Sequence, residues 1–328
     1  MAVVDLDDKD ARALGGAVLG QFRRHRDELF GFLDWMVAPV ASGFNGVVWR
    51  ATSGDGQFAI KVSLLDGRNR GRREFAATEL LARSGLDIAP KPIAIVTDDE
   101  FSALVSTWCK GEAVGPLPGE HSSFWPLMLS TYAAVHAIAA TDLEETVDGS
   151  TPASYLEVAA AHAQRAGRSR FLPVIDLIRS QIPAALPAVH AHGLVHADAS
   201  LANMLVDDAV LRLVDWEYSG FGDPCSDLAG FCTHPRQLGL SGALVDRLIR
   251  DHATALGSED LEIRTRAFLR ACLAMWCART GASSWRPRVP GAKGTNQLDE
   301  AVRADMYRNW LAKELNWDRA DLDKSLEL

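Results

Sequence analysis

The stretch His196 to Ala229, HADASLANMLVDDAVLRLVDWEYSGFGDPCSDLA, decides how this chain is read. Two short apolar runs, NMLV and LRLV, flank the turn residues Asp207 and Asp208, which predicts a small β-hairpin. Asn203 enters the first strand and Asp215 leaves the second, so antiparallel pairing brings both side chains to the same end of the ribbon. Asp198 stands five residues before Asn203. Phosphoryl transfer needs this set: one carboxylate to orient an acceptor hydroxyl and take its proton, and hard oxygen donors to hold magnesium on phosphates. Taken singly, Asp198 and Asn203 also read as turn or capping residues, so the signal lies in the combination.

Working outward, the chain supplies partners in a consistent order. Lys61 ends the apolar run AIKV, where an ammonium can stand beside phosphates, and Glu74 follows 13 residues later on the next expected helix, within reach of a lysine–glutamate ion pair. An exposed strand lysine and a solvated helix carboxylate are the plain alternatives. Upstream, Ala41-Ser42-Gly43-Phe44-Asn45-Gly46 joins two strands, and its glycines would let backbone N–H groups approach a phosphate. Arg68, Arg70, Arg72 and Arg73 precede the Glu74 helix and read as a solvated charge run.

Apolar residues recur at helical intervals from Asp8 to Met36: Leu14, Val18, Phe22, then Leu29, Phe32 and Leu33. Beyond them, VVWRAT and QFAIKV form a hairpin around Gly54-Asp55-Gly56, and Pro92–Thr97 with Phe101–Thr107 form another around Asp98-Asp99-Glu100. A Gly/Pro-containing connector over Cys109–Ser122 then gives way to mostly helical periods. These cover Phe124–Ala140, Pro152–Ala166, Phe171–His190, Asp227–His234, Leu240–Leu256, Ser258–Thr280 and Leu298–Leu315. The expected division is therefore a helical extension over 1–36, an N-lobe over 37–108 and a C-lobe over 109–328, an α+β architecture.

With 34 basic against 43 acidic side chains the chain carries a net charge of −9, which argues against general nucleic-acid binding. The longest apolar run, Leu127 to Ala140, is interrupted by Ser130, Thr131, Tyr132 and His136 and falls short of a bilayer span, so no membrane partner is expected. The acidic start MAVVDLDDKD lacks the basic flank of an export signal, and five cysteines without C-x-x-C spacing read as buried thiols of a cytoplasmic chain.

The ordered set SGFNG, AIKV, RREFAATELLARSGLDIAPKPI, AAVHAI, LVHADASLAN and LRLVDWEYSGFGDPCSDLA resembles the aminoglycoside phosphotransferase and choline kinase-like family of small-molecule kinases. The resemblance runs from about Val40 to Phe231 and implies a protein-kinase-like bilobal fold with a five-stranded antiparallel N-lobe, one main helix and a mostly helical C-lobe. It makes Asp198 the catalytic base and Asn203 and Asp215 the magnesium ligands. Ser42, Gly43, Asn45, Lys61 and Glu74 become the phosphate-side nucleotide contacts, and Thr107 through Cys109 the hinge that meets adenine. Asp227 becomes the buried brace of the catalytic loop. The implied cofactors are ATP, with GTP as the other nucleotide, and Mg²⁺; the implied partners are a nucleotide and a small hydroxylated acceptor.

The chain departs from the family's usual H-G-D at Ala197 and from its usual Leu-His-Pro-like triplet at Ala199-Ser200-Leu201, close to where an acceptor would lie. Candidate acceptor contacts are Ser200, Glu217, Trp276, Arg279 and Trp285. No carboxylate cluster suited to a polycation is visible, whereas Arg270, Trp276, Arg279, Trp285, Arg286 and Arg288 suit a neutral or anionic hydroxylated acceptor. An antibiotic phosphotransferase, a metabolite kinase of the choline, ethanolamine or thiamine type, and a non-catalytic nucleotide-binding scaffold are the readings that follow. A protein kinase is disfavoured because Asp215 runs directly into WEYSGFGDP with no A-P-E-like segment.

Overall fold

The computed structural model describes residues 6–25, 28–42, 46–54, 56–183, 186, 192–280 and 300–326. These form two compact units. One contains the chain up to Glu112 together with Met204–Tyr218, and the other contains Ala113–Asn203 and the described residues from Ser219 onward, apart from those assigned to the first.

The first unit opens with α1 (Asp8–Arg24), followed by β1 (Phe30–Phe32), β2 (Trp35–Ser42), β3 (Gly46–Ser53), β4 (Gly56–Leu64), α2 (Arg70–Arg83), β5 (Pro92–Thr97) and β6 (Phe101–Thr107). Among the described residues the strands make one antiparallel sheet in the order β1-β2-β3-β4-β6-β5. It has six strands where the resemblance implied five, because Phe30–Phe32 pairs with Trp35–Val37. The apolar periodicity through Met36 therefore ends as a helix at Arg24. Leu29, Phe32 and Leu33 belong to a tight β-turn region instead, since so short an apolar run fits either period.

Nor is α1 an extension. Its Asp7 cap accepts the Asp10 N–H at 2.8 Å, and its Ala11, Leu14, Val18 and Phe22 are buried against Val37, Trp49, Phe58, Ile60, Val62 and Val105 of the sheet. Leu14, Val18 and Phe22 each contribute roughly 1.5–3 kcal/mol of burial, so the helix is part of the core. Helices α1 and α2 cover opposite faces: Gly15 of α1 lies on Val96, Gly71 of α2 lies on Ile95, and neighbouring strand residues point to opposite sides. A Cβ on Gly71 would sit 2.6 Å from Ser102 Oγ, so glycine sets how closely α2 approaches the sheet.

The unit boundary falls in β7 (Glu112–Ala113), within the connector. The second unit contains α3 (Phe124–His136), α4 (Pro152–Arg165), α5 (Leu172–Gln181) and β8 (Gly193–Val195). Next in the chain come β9 (Met204–Asp207) and β10 (Val210–Leu213), the expected hairpin, which belongs to the first unit and not to the helical one. Then follow β11 (Gly220–Gly222), α6 (Pro224–Thr233), α7 (Gly242–Ala255), α8 (Leu261–Arg279), α9 (Glu300–Leu315) and α10 (Arg319–Leu326). Helix α8 is largely buried from Ala267 to Ala278, as befits a central helix, and packs against α4, α6, α7 and α9. No helix among the described residues is long and apolar enough to cross a membrane.

Candidate active site

In the first unit Lys61 lies on β4 between β3 and β6, opposite Val48 and Leu104, so its backbone is held on both sides. Phe58, Ile60 and Val62 turn into the core, which sends Lys61 to the α2 face by strand alternation. There its ammonium donates to Glu74 Oε2 at 2.7 Å and to Asp215 Oδ1, and stands 3.1 Å from Glu217 Oε2. Burial alone would lower the Lys61 pKa, but Asp215, Glu217 and Glu74 together raise it well above the ordinary value. Burial pushes Glu74 up to about 7 against the pull of Lys61, with Asp215 and Glu217 adding to the rise. Glu217 is raised for the same first reason.

Ligand oxygens of Glu74, Asp215 and Glu217 lie within 4.8 Å of one another, a hard-donor set that fits a divalent cation. Of the three, Asp215 is the most open to solvent, and it adopts a left-handed backbone with φ 68°, an unfavourable conformation for aspartate. Glu217, read as an acceptor contact from sequence, is instead 1% exposed and belongs to the lysine cluster. Arg70, read as solvated, is buried and paired with Asp66 at 3.0 Å.

The end of β6 is where the sequence reading places the hinge. Thr107 is committed to Lys91: its N–H donates to the Lys91 carbonyl at 2.9 Å and its hydroxyl accepts the Lys91 N–H at 2.9 Å. The Cys109 amide, past the end of the strand, has no hydrogen-bond partner among the described residues. Burial pushes the Cys109 thiol up to about 11, so it is an unreactive group there. Ser42 ends β2, while Gly43 and Asn45 lie outside the described residues.

In the second unit β8 delivers the loop that carries Asp198. Asp227, in the first turn of α6, accepts the backbone N–H groups of His196 at 2.9 Å and Ala197 at 2.8 Å, and meets His136 Nε2 at 3.0 Å. Burial would raise the Asp227 pKa, but these hydrogen bonds and the neighbouring histidines hold it below the usual carboxylate range. The Asn203 amide nitrogen donates to the Asp198 carbonyl at 3.0 Å and to Asp198 Oδ2 at 3.1 Å, leaving its amide oxygen as the donor suited to a cation.

His234 Nε2 is 3.9 Å from Asp198 Oδ1. Neither His136 nor His234 was assigned a role from sequence, because each lies far along the chain from the group it faces and carries no local motif. Ser200 is buried, with its hydroxyl accepting the Ala202 N–H at 3.3 Å, so it holds its own loop. Trp276 stacks on Tyr307 with centroids 5.7 Å apart, and the Arg279 guanidinium lies 4.4 Å from the Trp276 ring. Arg270 is paired with Glu314 at 3.6 Å, and Trp285, Arg286 and Arg288 lie outside the described residues.

The fold resembles that of a choline/ethanolamine kinase family protein from Mesorhizobium loti, at 17% identity, TM-score 0.60 and 97% coverage of both chains. It also resembles spectinomycin phosphotransferase in complex with ADP and spectinomycin, at 11% identity, TM-score 0.55 and coverage of 94% of this chain and 96% of that one. Among curated proteins, acyl-CoA dehydrogenase family member 10 of Mus musculus is 27% identical over 191 residues. That match takes in 52% of this chain but only 17% of the mouse protein. Residues 37–272 match the phosphotransferase enzyme family, and the chain belongs to that family.

Proposed function

We propose that the chain is an ATP-dependent phosphotransferase acting on a hydroxyl of a small polar molecule. The observation that carries this reading is the convergence of Lys61 with Glu74 and Asp215, 13 and 154 residues away in sequence, at one point of the first unit. A lysine held between carboxylates is a ready binding group for nucleotide phosphates, because each carboxylate it releases can turn to a metal ion. Magnesium, when bound, would supply charge neutralisation of the phosphates; Asp215 is the ligand that the first unit offers it, and the Asn203 amide oxygen the one that the second unit offers. The open Cys109 amide would meet the adenine edge.

Asp198 supplies the base. The acceptor oxygen uses a lone pair to form the new bond to the γ-phosphorus, while the bond from that phosphorus to the bridging oxygen breaks with its electrons leaving on ADP. The hydroxyl proton passes to the Asp198 carboxylate. Asn203 holds one oxygen of that carboxylate and Asp227 fixes the loop beneath it, so the contribution of the chain is mainly positioning. All five cysteines are free, which suits a reducing, ATP-containing compartment such as the cytoplasm.

The test is ADP release with a panel of hydroxylated acceptors, run beside calorimetric ATP binding with and without magnesium. Asp198→Asn is expected to keep nucleotide affinity and lose at least about a hundredfold in kcat. A variant with near-normal turnover would reject Asp198 as the base.

A further inference from the structure

Beside Asp198 the second unit builds a row of rings that ends in a guanidinium. His234, which follows the last residue of α6, faces Asp198 Oδ1 with its Nε2 at 3.9 Å and meets the edge of Trp276 at 6.0 Å. Trp276 lies nearly parallel to Tyr307, at 8°, and Arg279, one turn further along α8, covers the indole. The row is rigid for reasons that can be named. Tyr307 donates its hydroxyl to the Thr233 carbonyl at 2.8 Å, His234 Nδ1 lies 3.0 Å from Gln237 Oε1, and the last turn of α8 is tied down by Arg168, which donates to the carbonyls of Cys277 and Ala278 at 2.9 and 3.2 Å.

Arg236, Arg279 and Arg303 bring positive charge to this row. His234 is pushed down to about 4, first by burial, and the charges of Arg236 and Arg279 lower it further against the hydrogen bond to Gln237 Oε1. It is therefore a neutral ring at physiological pH. Arg279 and Arg303 both act on Tyr307. A quaternary ammonium or an aminoglycoside would meet a ring already covered by a guanidinium, and that end of the row repels cations. An acceptor carrying an anion finds the reverse: a planar fork of donors two rings away from the base.

We propose that His234, Trp276 and Arg279 form an acceptor subsite for a hydroxylated anion, in which Arg279 binds a carboxylate or phosphate group while the hydroxyl is presented to Asp198. This rests on the phosphotransferase reading and narrows its substrate class. Trp276, stacked on Tyr307, holds the Arg279 guanidinium in place, and His234 is a positioning residue whose uncharged imidazole can face the base without neutralising it.

The experiment compares ADP release with four acceptor groups: straight-chain hydroxy acids, sugar phosphates, neutral sugars and nucleosides, and the cations choline and kanamycin. Higher kcat/KM with the first or second group is expected, and which of the two wins separates a carboxylate from a phosphate ester. Arg279→Gln should lower kcat/KM for that group at least about thirtyfold, Arg279→Lys should restore part of it, and magnesium-dependent ADP binding should be unchanged in both. Preference for choline, kanamycin or a neutral acceptor overturns the subsite, as does an Arg279→Gln enzyme with undiminished turnover of the anions. ADP binding with no turnover of any anionic acceptor overturns it as well. Absence of magnesium-dependent nucleotide binding in the unaltered protein would remove the phosphotransferase reading beneath it.

Discussion

The backbone N–H of Ala197 donates to Asp227 Oδ1 at 2.8 Å while Ala197 itself is held at φ 60°. Left-handed backbone costs a residue with a Cβ roughly 1–2 kcal/mol, and glycine in an ordinary position costs about 0.5–1 kcal/mol in lost chain freedom. The two nearly offset. Ala197→Gly is therefore expected to leave stability equal or raised by up to about 1 kcal/mol with kcat retained, whereas Ala197→Val, branched at Cβ, should lose about 2 kcal/mol or more. Urea unfolding at pH 7 measures both, and a glycine variant less stable than the parent would show that the turn carries no strain.

Asp227 has two oxygens and three donors to serve, namely the His196 and Ala197 amides and His136. In Asp227→Asn one oxygen becomes an NH₂ group that faces an N–H, so at least one charge-assisted bond is lost, worth about 1.5–3 kcal/mol. The damage falls on the loop that carries Asp198. We expect kcat to drop roughly ten- to hundredfold, with ADP binding changed much less, because Lys61, Glu74 and Asp215 lie in the other unit and only Asn203 shares the disturbed one. Equal losses in turnover and nucleotide binding would mean that the whole chain had been disturbed.

Where polar residues punctuate the chain, the sequence already locates the structure. The β5–β6 hairpin has its expected ends because Asp98 Oδ1 accepts the N–H groups of Glu100 and Phe101, both at 2.8 Å, which closes the turn by local chemistry. The Lys61–Glu74 pair follows from a short spacing on regular elements, and the Asp198–Asn203 pair from a short spacing within one loop. Leu29 to Met36 was misread because a few apolar residues fit a helix or a strand until the β2 partner decides. Glu217 and His234 depend on burial beside groups distant in sequence, which no local pattern encodes, whereas Arg70 pairs locally with Asp66 and only its burial escapes the local reading.

Lys61 is the positive charge among Glu74, Asp215 and Glu217, so removing it leaves three close carboxylates in a mostly buried place. Breaking such a set costs about 3–5 kcal/mol. Lys61→Met should melt several degrees lower in EDTA, and magnesium should raise its Tm more than that of the parent, since a divalent cation replaces the missing charge. Asp215→Ala should lose magnesium-dependent ATP affinity more than Asn203→Ala does, a charged ligand being lost instead of a neutral one. Thermal melts and nucleotide titrations with and without magnesium decide both; identical magnesium responses in the parent and Asp215→Ala would reject Asp215 as a ligand.

His252 gives the protein a predictable weakness to acid. It is buried on α7 beside a small cavity lined by Met128, Leu129, Tyr132, Asp227, Leu228 and Phe231, with the His136 ring 5.6 Å away. Neither of its ring nitrogens has a hydrogen-bond partner among the described residues. Burial lowers its pKa from 6.5 to about 3, with His136 adding and Asp227 opposing. Between those values the unfolded chain binds a proton that the folded chain refuses. Stability is therefore fully present above pH 6.5 and falls as the pH drops toward 3. At about 1.36 kcal/mol per pH unit, the loss from this one ring is roughly 2 kcal/mol by pH 5. His234, lowered to about 4, acts in the same direction. Replacing His252 by leucine removes the titrating group and the two unpartnered nitrogens together. His252→Leu should be at least as stable as the parent at pH 7 and lose about 2 kcal/mol less on going to pH 5, as read by urea unfolding at pH 7, 6 and 5. If the two proteins lose stability in parallel, the buried ring takes up its proton in place, and the acid sensitivity belongs to other groups.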